Sequence, residues 1–164
     1  MKKPPKDLHE HFMLEALKQA QRAFDAGEVP VGAVVVYENK IIARAYNQME
    51  LLKDPTAHAE IVAMTQASET LSQQSENHRG SLENATLYVT LEPCLMCSGA
   101  LINTKCKNLV YGTSDPRAGA CGSLYNVVQD DRLNHRLQVT SGVLAEESKF
   151  LLKEFFRTLR KEQR

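Results

Sequence analysis

Residues 85–103 read ATLYVTLEPCLMCSGALIN, and the reading of this stretch decides the fold. Ala85–Thr90 is a short β-rich run and reads as a buried strand. Pro93 suits the first turn of a helix, and Cys94–Asn103 continues from it in small and aliphatic residues. A strand running directly into a helix sets the pattern that the rest of the chain repeats. Upstream, Leu8, Phe12, Leu14, Ala16, Leu17, Ala20, Ala23 and Phe24 recur in steps of three and four and mark an amphipathic helix that Gly27 stops. Val29–Tyr37, a turn at Glu38-Asn39-Lys40, and Ile41–Tyr46 predict a hairpin. Asp54-Pro55-Thr56 breaks the chain before a second helix, Ala57–Leu71, and the polar run Ser72–Asn84 reads as a surface loop insertion.

Downstream come a strand at Leu109–Tyr111, a loop at Gly112–Gly122, and a short helix near Ser123–Val128. A strand at Leu137–Thr140 and a long helix from Leu144 complete the chain. Strands interspersed with helices of about ten or more residues predict an α/β layered domain with helices on both faces of one sheet. The length, 164 residues, fits a single domain, residues 1–164.

Composition excludes several classes of function. With 43% apolar and 24% charged residues the chain is an ordinary globular one, not a disordered one. Lys plus Arg equals Asp plus Glu at 20 each, so any contact with nucleic acid is a local patch and not a general coat. No run approaches the roughly 18 apolar residues of a transmembrane helix, so no membrane partner is expected. The polar start, with residues 1–6 read as a flexible arm, lacks the apolar core of a signal peptide, and a cytoplasmic location is expected. In that reducing setting Cys94, Cys97, Cys106 and Cys121 are not expected to form a disulfide framework, and the close pair Cys94 and Cys97 points to metal or redox chemistry.

Two fragments carry chemistry, His58-Ala59-Glu60 and Pro93-Cys94-Leu95-Met96-Cys97. One imidazole and two thiolates fill three of the four positions of tetrahedral zinc, and three protein ligands with one place for water is the catalytic arrangement. The two-residue spacing lets both thiolates reach one ion from a single turn, and a helix N-terminus favours their ionised form. Two thiolates offset the charge of zinc, so a bound water is less acidified than with neutral ligands and needs a nearby base. Glu60 is the candidate. His58 and Glu60 lie about 200° apart on a regular helix. They converge only from its first turn or an extended entry, which is where the break at Pro55 places them. A CxxC pair alone also marks half of a structural zinc site or a redox pair. The neighbouring HxE and the lack of a second CxxC favour catalysis, and donor softness favours zinc over iron. Cys106 and Cys121 are each a candidate fourth ligand, but read better as small buried or half-buried hydrophobes. His9 and His11 read as solvated, His78 as a loop residue, and His135 as a structural hydrogen-bonder.

These fragments resemble the zinc nucleobase deaminase signature. Gly27-Glu28-Val29-Pro30-Val31-Gly32-Ala33, Asp54-Pro55-Thr56-Ala57-His58-Ala59-Glu60, Tyr88-Val89-Thr90-Leu91-Glu92-Pro93-Cys94, Asn134-His135-Arg136 and Phe155-Phe156-Arg157 extend the likeness. Together they resemble the bacterial tRNA-specific adenosine deaminases, within the zinc-dependent cytidine/deoxycytidylate deaminase superfamily. The likeness runs from about Leu8 to Arg160, and its main departure is a longer loop at residues 72–84. The resemblance implies a three-layer α/β/α cytidine-deaminase-like fold around a central mixed five-stranded sheet. It implies a hydrolase that converts adenosine to inosine at the wobble position of a tRNA anticodon, using a zinc-activated water. It further implies one zinc ion per subunit on His58, Cys94 and Cys97, Glu60 as proton shuttle, and backbone N–H groups near Cys94 that help hold the zinc-bound oxygen. No organic cofactor is implied. The implied assembly is a homodimer whose anticodon-loop site uses both subunits. By the same likeness Asn47 contacts the target nucleoside, Val29 and Leu91 wall the pocket, and Asp115 makes a backbone or ribose contact. From the residues alone, Val29 and Leu91 equally suit the core, and Asn47 and Asp115 equally suit turns.

Charge is unevenly placed. From Lys149 to Arg164 there are six basic residues against Glu154 and Glu162, and Lys2, Lys3 and Lys6 form a second basic cluster. A solvated amphipathic helix accounts for the first run, and so does a phosphate-facing patch that includes Arg157 and Arg160. A splayed single-stranded base needs few phosphate contacts, so a neutral chain is compatible with RNA. A deaminase of a free base, nucleoside or nucleotide of the guanine or cytidine type has the same zinc and the same Glu60. A zinc-stabilised binding module is the non-enzymatic alternative, disfavoured by Glu60 and the missing fourth protein ligand.

Overall fold

The computed structural model describes residues 6–74 and 79–164. Apart from Lys6 the expected N-terminal arm lies outside the described residues, as does His78. In chain order the elements are α1 (Lys6–Asp25), β1 (Gly32–Tyr37), β2 (Lys40–Tyr46), α2 (Met49–Leu52), α3 (Ala59–Gln74) and β3 (Thr86–Leu91). They are followed by α4 (Leu95–Asn103), β4 (Asn108–Thr113), a single 3-10 turn (Val127–Gln129), β5 (Gln138–Thr140) and α5 (Ala145–Glu162).

The sheet has five strands in the order β2-β1-β3-β4-β5. β1 is antiparallel to β2 and β3, whereas β3, β4 and β5 run parallel, so the sheet is mixed as expected. The β1–β2 hairpin closes through Glu38 and Asn39, both at positive φ, the backbone twist that a two-residue hairpin loop requires. Alternation along the strands gives each face its own core. Val34, Val36, Tyr88 and Val110 point to Phe12, Met13 and Ala16 of α1. Ala33, Val35, Leu87, Val89 and Leu109 point to Ala63, Met64 and Ala67 of α3 and Leu101 of α4. Each fully buried Val or Leu contributes about 1.5–3 kcal/mol, so the two faces hold the three layers together. α5 lies beside α1, where Phe24 and Phe155 meet edge to face at 5.9 Å.

The chemistry-bearing fragments meet at one end of this sheet. α4 begins just past the end of β3, and α3 enters from the break at Asp54–Thr56. Ligands of open α/β sheets sit outside the carboxyl ends of such strands.

Several details depart from the sequence reading. α3 runs on to Gln74, because exposed Ser and Gln residues continue a helix once its apolar face is anchored. The run at residues 72–84 is therefore not all surface loop. Leu82 within it is fully buried, its N–H donating to the Thr104 carbonyl at 2.7 Å. A short helix α2 is present where none was expected. The expected helix near Ser123–Val128 shrinks to the turn at Val127–Gln129, because the Ser123 N–H and hydroxyl are held by Glu92. His9, read as solvated, bonds the Tyr88 hydroxyl at 2.8 Å and covers that buried ring. Among the described residues no helix is long and apolar enough to cross a membrane.

Candidate active site

His58 is the last residue before α3, with its carbonyl accepting the Val62 N–H at 3.1 Å. The Asp54 carboxylate accepts the Thr56 N–H and hydroxyl at 2.8 and 2.7 Å, a local turn that aims the chain into the helix. That placement resolves the spacing problem. His58 sits outside the regular helix and Glu60 in its first turn, so the two converge on one cavity. Across from them, Cys94 is the extended N-cap residue of α4, which starts at Leu95, two positions later than the start expected at Pro93. Its carbonyl accepts the Ser98 N–H, and its sulfur makes no capping bond to the helix. Cys97 follows in the first turn and is fully buried.

The three donor atoms lie within 4.8 Å of one another. His58 Nδ1 is 3.6 Å from Cys94 Sγ and 3.5 Å from Cys97 Sγ. Tetrahedral zinc with N and S ligands at about 2.0 and 2.3 Å separates such atoms by about 3.6 Å. The donor set therefore fits a zinc ion without rearrangement. The hydrogen bond from Cys97, with His58 adding to it, lowers the Cys94 thiol to about 4, while Cys94 and burial together push the Cys97 thiol up. The bond to Cys94 raises the His58 imidazole, with the Glu60 charge and the Pro55 carbonyl acting the same way. Glu60 is 4% exposed, and burial pushes its carboxyl up to about 7.

His58, Glu60 and Cys94 line a cavity of about 170 Å³ shared with Val29, Asn47, Leu91 and Asp115. Asn47 donates through Nδ2 to the Val29 carbonyl at 3.4 Å. Its Oδ1 is the one buried side-chain oxygen or nitrogen among the described residues without a hydrogen-bond partner. Asp115 does form a turn, its Oδ1 accepting the Arg117 and Ala118 N–H groups at 2.9 and 3.2 Å. It also lines the cavity. Val29, Leu91 and Asp115 are in addition walls of an adjoining groove of about 900 Å³, edged by Arg117 and by Lys149, Lys153, Arg157 and Arg160 of α5. Arg157 is paired with Glu154 at 2.7 Å. Of the site residues expected from the sequence, all but the fully buried Cys97 line the cavity or the groove.

Cys106 and Cys121 are buried free thiols away from the metal-ligand cluster. His135 is a structural hydrogen-bonder, its Nε2 lying 2.6 Å from the Cys106 carbonyl. Two buried carboxylates escaped the sequence reading, Glu28 and Glu92, each 1% exposed. Glu28 takes the Glu50 and Leu51 N–H groups at 3.1 and 2.6 Å and so holds α2 beside Asn47. The only local signal for either was an acid embedded in an otherwise apolar stretch.

Comparison with known proteins bears on this geometry. The family model for MafB19-like deaminases matches residues 7–160. A tRNA-specific adenosine deaminase of Bacillus subtilis (strain 168) is 45% identical over 155 residues, 94% of this chain and 92% of the relative. The chain belongs to the tRNA-specific adenosine deaminase family. A second member, from Aquifex aeolicus (strain VF5), is 44% identical over 92% of this chain and 95% of its own. A solved structure from work on A-to-I editing by tRNA:A34 deaminases at the wobble position of transfer RNA superposes with a TM-score of 0.79. It is 41% identical and covers 87% of this chain and 99% of its own. The fold it shares is the cytidine-deaminase-like α/β arrangement expected above. A guanine deaminase structure from Bacillus subtilis superposes with a TM-score of 0.57 at 35% identity, covering 65% of this chain and 64% of its own.

Proposed function

We propose that this chain, acting as one zinc-dependent deaminase domain, hydrolyses adenosine to inosine at the wobble position of a tRNA anticodon. The observation that carries this reading is the triangle of His58, Cys94 and Cys97 beside the buried Glu60, in a cavity that shares walls with a basic groove. His58, Cys94 and Cys97 hold one zinc ion per chain, whose contribution when bound is Lewis-acid activation of water. Glu60 accepts a proton from the attacking water and delivers it to adenine N1 as the water oxygen bonds to C6. Glu60 then carries the proton of the new C6 hydroxyl to the amino nitrogen, and as the C6–N bond breaks ammonia departs and the C6 carbonyl of inosine is left.

Asn47 Oδ1 offers its unmet acceptor to a sugar hydroxyl of the target nucleoside, since an unpaired buried oxygen gains most from a donor supplied by the ligand. Val29 and Leu91 clasp the base, and Asp115 sits where the cavity opens into the groove. Arg157 and Arg160, with Lys149 and Lys153, face the phosphates that flank the target. Two copies of the chain pair as a homodimer. Exposed Leu95 and Met96 beside Cys94, and exposed Leu124 and Tyr125 on the loop joined to it by the Cys94–Gly119 bridge, support that pairing. Four free cysteines and a tRNA substrate support action in the cytoplasm.

Ammonia release from an anticodon stem-loop, adenosine, cytidine and guanine tests the substrate class. The expected result is release from the stem-loop. Release from cytidine or guanine alone supports a free-base enzyme, and zinc binding with no release from any of them supports a binding module. The groove has its own test. Neutralising Arg157, Arg160 and Lys161 together is expected to weaken stem-loop binding and to flatten its salt dependence. The log–log slope should fall by about 0.7 for each phosphate that is no longer neutralised. Arg160 should account for more of this than Arg157, whose charge is already paired with Glu154. Anisotropy titrations over a salt series check it. An unchanged slope means the basic end of α5 is merely solvated.

A further inference from the structure

Glu92 takes no part in the steps above, yet it is buried one residue from the Pro93-Cys94 junction and lines the cavity. All four hydrogen bonds to its carboxylate come from one loop. Oε1 accepts the Asp115 N–H at 3.1 Å and the Ser123 hydroxyl. Oε2 accepts the Cys121 and Ser123 N–H groups, both at 3.1 Å. The loop wraps the carboxylate so closely that a Cβ at Gly119 would lie 2.3 Å from Oε2 and 2.5 Å from the Asp115 carbonyl. The same loop bridges to the metal-site strand end, with Gly119 paired to Cys94 and the Ala120 N–H donating to the Pro93 carbonyl at 2.9 Å. Asp115 and Ala118, which line the cavity, are carried on this segment.

We propose that Glu92 is the positioning residue of the substrate pocket, its carboxylate fixing the Asp115–Ser123 loop against Cys94 so that the wall meeting the target nucleoside is preformed. The inference rests on the deaminase reading above. The chemistry requires a carboxylate at this point. Four donors converge on two oxygens, and an amide would turn an NH₂ group toward at least one N–H or hydroxyl. One buried donor would then be orphaned, and the loop would relax to find another partner.

Steady-state kinetics on the full-length, zinc-loaded protein with an anticodon stem-loop, normalised to bound zinc, test this. Glu92→Gln is expected to bind zinc as the parent does and to raise KM about tenfold while kcat changes less than about threefold. Ser123→Ala, on an exposed residue, deletes only the hydroxyl contact and is expected to raise KM about threefold. Hydrogen exchange of the Asp115 and Cys121 amides should quicken in both. A purely structural role would instead lower the amount of active protein and leave KM per zinc unchanged, and that result overturns the proposal. Should Glu92→Gln fail to fold, an unchanged KM in Ser123→Ala overturns it equally. A parent that leaves the stem-loop unaltered refutes the deaminase reading itself. An active parent with variants of unaltered KM refutes only the role of Glu92.

Discussion

Turnover of a Glu60→Ala variant is expected to fall by about 10²–10⁴, the usual worth of a positioned acid–base group, with metal content and fold retained. Glu60 is in the first turn of α3, and its carboxyl lines the cavity without belonging to the donor triangle. Deleting it leaves His58, Cys94 and Cys97 in place. The helix also tolerates the change, since alanine has the best helix propensity and the buried carboxyl it replaces is costly to desolvate. The melting temperature is therefore expected to hold or rise while the chemical step slows. Single-turnover conversion of a stem-loop, with zinc measured on the same sample, separates the two effects. Near-parental conversion by a zinc-loaded Glu60→Ala protein would remove Glu60 from the mechanism.

The largest effect on stability is expected at Gly32, well away from any polar chemistry. β1 begins there directly beneath α1, and a Cβ at residue 32 would fall 2.0 Å from the Ala16 carbonyl oxygen and 2.3 Å from the Ala20 nitrogen. Both are backbone atoms of a regular helix, so no side chain is free to swing aside. Ala16 and Ala20 are themselves fully buried, small residues that allow the helix to approach this closely. The Gly32 N–H is also committed, donating to Thr90 Oγ1 at 3.2 Å. Overpacking at so confined a place costs about 3 kcal/mol or more, a large share of the roughly 5–15 kcal/mol that holds a domain together. Gly32→Ala is therefore expected to lower the urea midpoint by about 1–2 M at unchanged slope. A parental midpoint would mean that α1 leaves room above β1 for a methyl group.

The parts of this molecule that were legible in its sequence are those set by local periodicity or by residue chemistry. The continuous apolar, β-rich runs at Val34-Val35-Val36 and Leu87-Tyr88-Val89 mark buried strands, and they are apolar throughout because each face packs on a different helix layer. The candidate metal-ligating side chains were legible because a CxxC pair and an HxE fragment in one chain have fewer other uses together than either has alone. What escaped was held by contacts distant in sequence. α2 has four residues and no buried side chain, and nothing local announces it. Its N–H groups are held by Glu28, more than twenty residues earlier. The loop at residues 115–123 is ordered by Glu92 in the same manner, and those bonds displaced the helix expected near Ser123–Val128. Leu82 is a single apolar residue in a polar run, without a period to reveal that it is anchored in the core. His9 gains its partner from β3, across the sheet.

The wobble-adenosine assignment is tested most directly by mass analysis of an anticodon stem-loop after incubation with the purified, zinc-loaded protein. The expected result is the amine-to-carbonyl mass change confined to the wobble adenosine, lost when Glu60 is replaced by alanine. A stem-loop recovered unchanged, from a protein shown to carry zinc on His58, Cys94 and Cys97, would contradict it.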